Sequence, residues 1–181
     1  MTMPAYPADV LERAAKIRLI GFDVDGTLTD GRLHYGTEDR DAKAFYVQDG
    51  MGLTLLRHAG IALALVTARQ SPVVAARGSE LRIEHVHIGE RSKLACMQRI
   101  AASMGIGMDQ VAFMGDDLPD LATLRAAGLA IAPANAHHWV LPAAHWITPR
   151  DGGAGAARDA CDLLLHAQGK VEAILAHGEH P

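Results

Sequence analysis

The chain has 181 residues, 49% of them apolar and 21% charged, with a formal net charge of −4 and two cysteines. That is enough apolar material for one globular domain spanning 1–181, and it is unlike a disordered chain. Net negative charge with dispersed Lys and Arg argues against a nucleic-acid surface. Cys96 and Cys161 have neither metal nor redox spacing and read as reduced core thiols. No run approaches a membrane span, and Met1 to Arg18 lacks an apolar segment of signal-peptide length, so a cytoplasmic location with no membrane partner is expected.

In chain order, Asp9 to Lys16 predicts a short helix, and Ile17 to Phe22 a buried strand that runs into Asp23-Val24-Asp25-Gly26-Thr27. Residues 31–47 read as two short strands around a polar turn at Thr37 to Asp41, a β-hairpin. A helix is expected from Asp49-Gly50 to a stop at Gly60, followed by a strand over Ile61 to Val66 that ends at Thr67. Ser71-Pro72 has the composition of a cap and first helical turn, giving a helix to about Leu81. A short strand follows at His85 to Ile88. Ser92 is placed to cap a helix in which Leu94, Met97, Ala101 and Met104 recur at helical spacing up to Gly105.

Val111 to Met114 is a further strand and ends in Gly115-Asp116-Asp117. Pro119 opens a helix that stops near Gly128, and Leu129 to Ala132 is another strand. Trp146-Ile147 suits a last short strand. The tail, 151–181, begins with Asp151-Gly152-Gly153-Ala154-Gly155 and continues into a helix with Ala157, Cys161, Leu164, Leu165 and Gln168 on one side. Short apolar strands alternating with helices imply an α/β fold, a doubly wound and mostly parallel Rossmann-like sheet. In such sheets ligands bind beyond the carboxyl ends of the strands, where Asp25, Thr67 and Asp116 fall.

Asp23 and Asp25 are the most informative pair. Residues two apart on a strand share a face and lie roughly 6.6 Å apart, so both carboxylates can serve one reaction centre from the strand's carboxyl end. Gly26 lets the backbone turn there without steric cost. Phosphoryl transfer, the reaction implied by the resemblance given next, needs a nucleophile in line with phosphorus, charge neutralisation at the equatorial oxygens and a proton for the departing alkoxide. Carboxylates facing a phosphate also need a cation between them. Mg²⁺ suits hard oxygen ligands and a phosphate partner.

The string Phe22-Asp23-Val24-Asp25-Gly26-Thr27-Leu28-Thr29 resembles the nucleophile motif of the haloacid dehalogenase superfamily of phosphotransferases. The resemblance implies Asp23 as nucleophile, Asp25 as general acid and then base, Thr67 as a hydrogen-bond donor to a phosphoryl oxygen, and Lys93 as the balancing cation. It implies Mg²⁺ held by the Asp23 carboxylate, the Asp25 backbone carbonyl and the Asp116 carboxylate. Asp117 and Asp120 are expected outside the metal shell or orienting Lys93. Residues 31–66 leave no room for a large cap domain.

Within the superfamily the chain is similar to the small uncapped phosphatases of the 3-deoxy-D-manno-octulosonate 8-phosphate (KDO 8-phosphate) type. The similarity rests on the Asp25 to Gly31 opening, Asp49-Gly50-x-Gly52, Thr67-Ala68-Arg69, Gly115 to Asp120 and Gly152 to Arg158. Tyr46 and Gln48 stand where that family usually has Asn and a basic residue. The likeness implies hydrolysis of a sugar-acid phosphate, with Arg69 and Arg77 meeting its anionic groups. It further implies a homo-oligomer, a tetramer with central hairpins, in which Arg158 reaches a neighbouring site. The alternatives are a phosphatase for a nine-carbon keto-sugar acid 9-phosphate, a non-catalytic regulatory module of the same fold, and a receiver-type signalling domain. Intact Asp23, Asp25, Lys93 and Asp116 count against the regulatory module. The position of the acids on the first strand counts against the receiver.

Overall fold

The computed structural model describes residues 5–34 and 41–177. In order the elements are α1 (Ala8–Ala14), β1 (Leu19–Phe22), α2 (Val47–His58), β2 (Ala62–Thr67), α3 (Pro72–Glu80), β3 (His85–Ile88), α4 (Lys93–Ser103), β4 (Val111–Met114), α5 (Leu121–Ala126), β5 (Leu129–Ala132), β6 (Trp146–Ile147), α6 (Ala156–Ala167) and α7 (Val171–His177). The strands form one sheet in the order β3-β2-β1-β4-β5-β6. Every pairing between neighbours is parallel. After β1 the chain builds outward through β2 and β3, then returns to the other side of β1 with β4. The carboxyl ends of β1 and β4 therefore flank the point where winding reverses, and the connections leaving them part to opposite sides of the sheet.

Alternation along each strand divides the core. Ile20, Phe22, Leu63, Leu65, Met114 and Ile131 join one cluster with α1, α2 and α6. Leu19, Ala64, Val66, Phe113 and Ala130 join the other with α4 and α5. Both faces of the sheet's centre are covered in this way, which is why β1, β2, β4 and β5 read as unbroken apolar runs. Full burial of a Phe or Leu side chain contributes about 1.5–3 kcal/mol, and Phe22, Phe113, Leu19 and Leu65 are all buried completely. Cys96 and Cys161 are free and buried within these two layers. Burial pushes both thiols above their ordinary range.

Ser71 caps α3 as expected, accepting from the Val74 N–H at 3.2 Å, and Gly60 ends α2 with φ at 83°. Four details differ from expectation. The α2 helix starts at Val47, ahead of Asp49. Ser92 makes no side-chain cap; its N–H instead donates to Glu90 Oε1 at 2.9 Å. The helix opened by Pro119 begins as a 3-10 turn over Leu118–Asp120 and becomes α-helical at Leu121, because Asp117 and Asp120 bond the backbone at its start. A further helix, α7, follows Gly169 and Lys170.

The expected hairpin's turn, Thr37 to Asp41, lies outside the described residues except for Asp41, since 35–40 are not described. The described flanks, 31–34 and 41–46, form no strand. An isolated two-stranded ribbon is marginal without further packing, and 41–43 is held by side chains instead. Asp41 accepts from the Ser71 hydroxyl, and Lys43 pairs with Asp25.

Candidate active site

The site begins where β1 stops. Phe22 is the last strand residue, and the Asp23 N–H still bonds Met114 O on β4 at 2.9 Å. The chain then turns, with the N–H groups of Thr27, Leu28 and Thr29 all directed to Val24 O at 2.9–3.3 Å. The strand-face relation expected for the two acids is thus corrected: Asp23 and Asp25 both lie beyond β1, with Asp25 in the turn. The cause is this convergence of three N–H groups on one carbonyl. Gly26 has φ of 91°, and a Cβ there would stand 2.1 Å from Asp116 Oδ2. Only glycine satisfies both the left-handed backbone and that contact.

Asp116, just past β4, meets this turn from the adjacent strand. Its Oδ1 accepts from the Thr27 hydroxyl at 3.2 Å. Lys93, the first residue of α4, joins the third side. Its Nζ is 2.7 Å from Asp23 Oδ1 and 2.6 Å from Asp120 Oδ1. All three residues are buried, at 4%, 7% and 1% exposure for Lys93, Asp23 and Asp120. Asp120 Oδ2 accepts from the N–H groups of Asp116 at 3.0 Å and Asp117 at 3.3 Å. Both Asp120 oxygens are therefore engaged, so Asp120 orients Lys93 and the Asp116 loop. Asp117 is exposed and caps the 3-10 turn through Leu118 N–H at 2.7 Å.

Carboxylates outnumber the ammonium that meets them here. Asp23, Asp116 and Asp120 offer oxygens within 4.8 Å of one another, and among the described residues Lys93 is the one cation in ion-pair contact with them. Burial, with the Asp120 carboxylate next, pushes Asp23 from 3.8 to about 8 against the opposing pull of Lys93. Burial and Asp120 likewise raise Asp116 to about 6. Lys93 loses by burial but gains more from Asp23 and Asp120, so its ammonium is held above the usual range. Like-charged carboxylates kept together in this way suit a divalent cation with hard oxygen ligands, and the residues present fit Mg²⁺.

Thr67 is buried at the end of β2. Its hydroxyl oxygen accepts from Arg69 N–H at 3.2 Å, and among the described residues no acceptor takes its proton. Arg69 is brought to the site, with Nε 3.7 Å from Asp25 Oδ2. Arg77 is not: it pairs with Glu80 at 2.8 Å, lies over the Phe45 ring at 5.6 Å and fills the space beside Gly50. Arg158 is directed elsewhere too, with Nε 2.7 Å from Asp162 and its N–H on Asp49 Oδ1 at 2.7 Å.

The glycine-rich segment packs on its own chain. Gly153 N–H bonds Thr27 O at 3.1 Å, and a Cβ on Gly152 would stand 1.8 Å from Gly26 O. Sequence reasoning gave no role to Thr27 or to Lys43, whose buried ammonium meets Asp25 Oδ1. Thr27 was visible inside the motif. Lys43 had no signal, since only the tertiary fold brings 41–43 over the turn.

A parallel sheet with acids beyond β1 and β4, a lysine opening α4 and a threonine ending β2 define a haloacid dehalogenase-like hydrolase. The family model of that description matches residues 79–158. The chain is 41% identical over 164 residues to the KDO 8-phosphate phosphatase of Yersinia pestis, covering 91% of this chain and 88% of the relative. A hypothetical protein of Xanthomonas campestris superposes with a TM-score of 0.94 at 50% identity, covering 98% of this chain and all of the other. The Moraxella catarrhalis KDO 8-phosphate phosphatase, solved with magnesium, phosphate and KDO, superposes with a TM-score of 0.93 at 39% identity, covering 96% of this chain and all of that one. The chain belongs to the haloacid dehalogenase-like hydrolases and, within them, to the phosphoric monoester hydrolases of the KDO 8-phosphate phosphatase family. Among the described residues no helix is long and apolar enough to cross a membrane.

Proposed function

We propose that the chain hydrolyses a sugar-acid phosphate monoester, KDO 8-phosphate, to KDO and phosphate with Mg²⁺ as cofactor. The observation that carries the reading is the buried Asp23–Lys93–Asp120 bridge beside Asp116 at the sheet's reversal point. Kinship with the Yersinia and Moraxella enzymes over most of both chains supports the choice of substrate.

In this reading an Asp23 oxygen forms a bond to phosphorus as the bond from phosphorus to the sugar oxygen breaks, and the departing alkoxide takes a proton from Asp25. Asp25, now a carboxylate, then accepts a proton from water. The water oxygen attacks phosphorus and the Asp23–phosphate bond breaks, restoring both carboxyl groups. Lys93 offsets charge on Asp23 and the phosphoryl group, and the Thr67 hydroxyl donates to a phosphoryl oxygen. Asp23, Asp116 and the Asp25 carbonyl would hold Mg²⁺, which when bound neutralises the phosphate against the surrounding carboxylates. Arg69 stands at the mouth, placed to read the substrate's carboxylate.

The homotetramer belongs to the same reading. Leu33, Tyr46, Val47 and Met51 are exposed apolar side chains around the 31–47 segment and the start of α2, with Val47 at 81% exposure. They suit burial against other copies of the chain. In this arrangement Arg77 and Arg158 keep the structural contacts described above.

The test is phosphate release over a panel of sugar phosphates, including a nine-carbon keto-sugar acid 9-phosphate, with Mg²⁺ present. A steep kcat/KM preference for KDO 8-phosphate is expected, and Asp23→Asn should lower turnover by orders of magnitude while preserving the fold. A flat profile, or an Asp23→Asn protein near wild-type activity, would overturn the reading.

A further inference from the structure

Lys43 is an unusual residue for an irregular segment. Its side chain is 3% exposed, it meets Asp25 Oδ1 directly, and the Asp41 carboxylate lies 3.9 Å from the same ammonium. Asp41 is itself fastened by the hydroxyl of Ser71, the residue that caps α3. The 41–43 segment is thus anchored to one helix start and delivers a buried cation to a carboxylate in the catalytic turn. Among the described residues the other oxygen of that carboxylate, Oδ2, is approached only by the half-exposed Arg69 at 3.7 Å, beyond hydrogen-bond length.

We propose that Lys43 is a positioning residue that selects the working oxygen of Asp25. An ammonium donates to Oδ1 whether the carboxyl group is charged or neutral, since a carbonyl oxygen accepts as well as a carboxylate oxygen does. With Oδ1 engaged in both states, Oδ2 carries the proton, and the side chain cannot rotate to present the wrong oxygen. Lys43 therefore acts on both proton transfers through Asp25 without touching phosphorus. This inference rests on the acid–base assignment of Asp25 in the proposed function.

The experiment compares Lys43→Met, which keeps the aliphatic stem, with Lys43→Arg, which keeps the charge. A p-nitrophenyl phosphate arm needs no leaving-group proton, because nitrophenolate departs unaided, whereas an alkyl phosphate arm does. For Lys43→Met a kcat loss of roughly 10- to 100-fold on the alkyl substrate, with KM nearly unchanged, is expected. On p-nitrophenyl phosphate the variant should release a stoichiometric burst and then turn over slowly, because capture proceeds and water activation lags. Lys43→Arg should recover much of the rate.

Circular dichroism and thermal melting separate a folding defect from a positioning one, and Lys43→Gln provides a second neutral variant if Met unfolds the segment. A raised KM at unchanged kcat would make Lys43 a substrate-binding group and overturn the proposal. Equal losses on both substrates with no burst would overturn it too. Failure of the wild type on KDO 8-phosphate would sink the substrate reading alone, since the p-nitrophenyl phosphate arm still reports on Lys43.

Discussion

Lys93→Met removes one ammonium from between Asp23 and Asp120 while keeping most of the side-chain volume. Nζ lies 2.7 and 2.6 Å from the two carboxylates, and all three residues are buried. Breaking a buried pair by removing one partner costs about 3–5 kcal/mol, because the surviving charge keeps its desolvation penalty without its attraction. For a chain of this size each kcal/mol shifts Tm by about 2–4 °C, so a loss of about 6–20 °C is expected without metal near pH 8.

The pH dependence has a definite sign. The Asp23 carboxyl titrates at about 8 in the folded protein against an ordinary 3.8. Its protonated form favours folding, a contribution that is complete below the ordinary value and lost as pH rises through the folded one. Lys93 lowers the Asp23 value, so its removal raises that value further and carries the loss on to higher pH, where the wild type has already ionised. Lys93 is itself held above its ordinary 10.5, so its own contribution fades only at higher pH and adds no slope in this window. Melting of wild type and Lys93→Met in chelator at pH 5 and pH 8 should therefore show the larger gap at pH 8. A gap below about 2 °C at pH 8, or equal gaps at both pH values, would refute the reasoning.

Two further outcomes follow from the same geometry. Metal-free wild type should lose Tm from pH 5 to pH 8, because Asp23 and Asp116 are both raised, and Mg²⁺ should restore more at pH 8 than at pH 5. At 100 times its Kd a bound ion adds about 2.7 kcal/mol, and a Tm independent of Mg²⁺ at both pH values would contradict the cation site. Gly26→Ala should cost about 1–3 kcal/mol from the left-handed backbone and weaken Mg²⁺ binding measured by calorimetry, since its Cβ would displace Asp116 Oδ2 from 2.1 Å. Wild-type Mg²⁺ affinity in that variant would refute the contact.

Local pattern determined much of this protein. Apolar runs of strand length marked β1, β2, β4 and β5 because the inner strands of a parallel sheet are buried on both faces, and Gly60 stopped α2 because a positive φ suits a residue without a Cβ. The acids after β1 and β4 were legible for the same reason, each being an abrupt charge at the end of a buried run. Tertiary structure alone decided how those groups meet. Asp120 became the holder of Lys93 only through a 2.6 Å contact across 27 residues of chain. Arg77 and Arg158 satisfied the charge pattern of anion readers yet found carboxylates on their own helices. Lys43 carried no periodic or motif signal, and its contact with Asp25 exists because Ser71 holds Asp41 in place. Side-chain pairing between distant segments depends on distances of a few ångströms, which a one-dimensional pattern does not encode, whereas burial and backbone conformation are written in each residue's own chemistry.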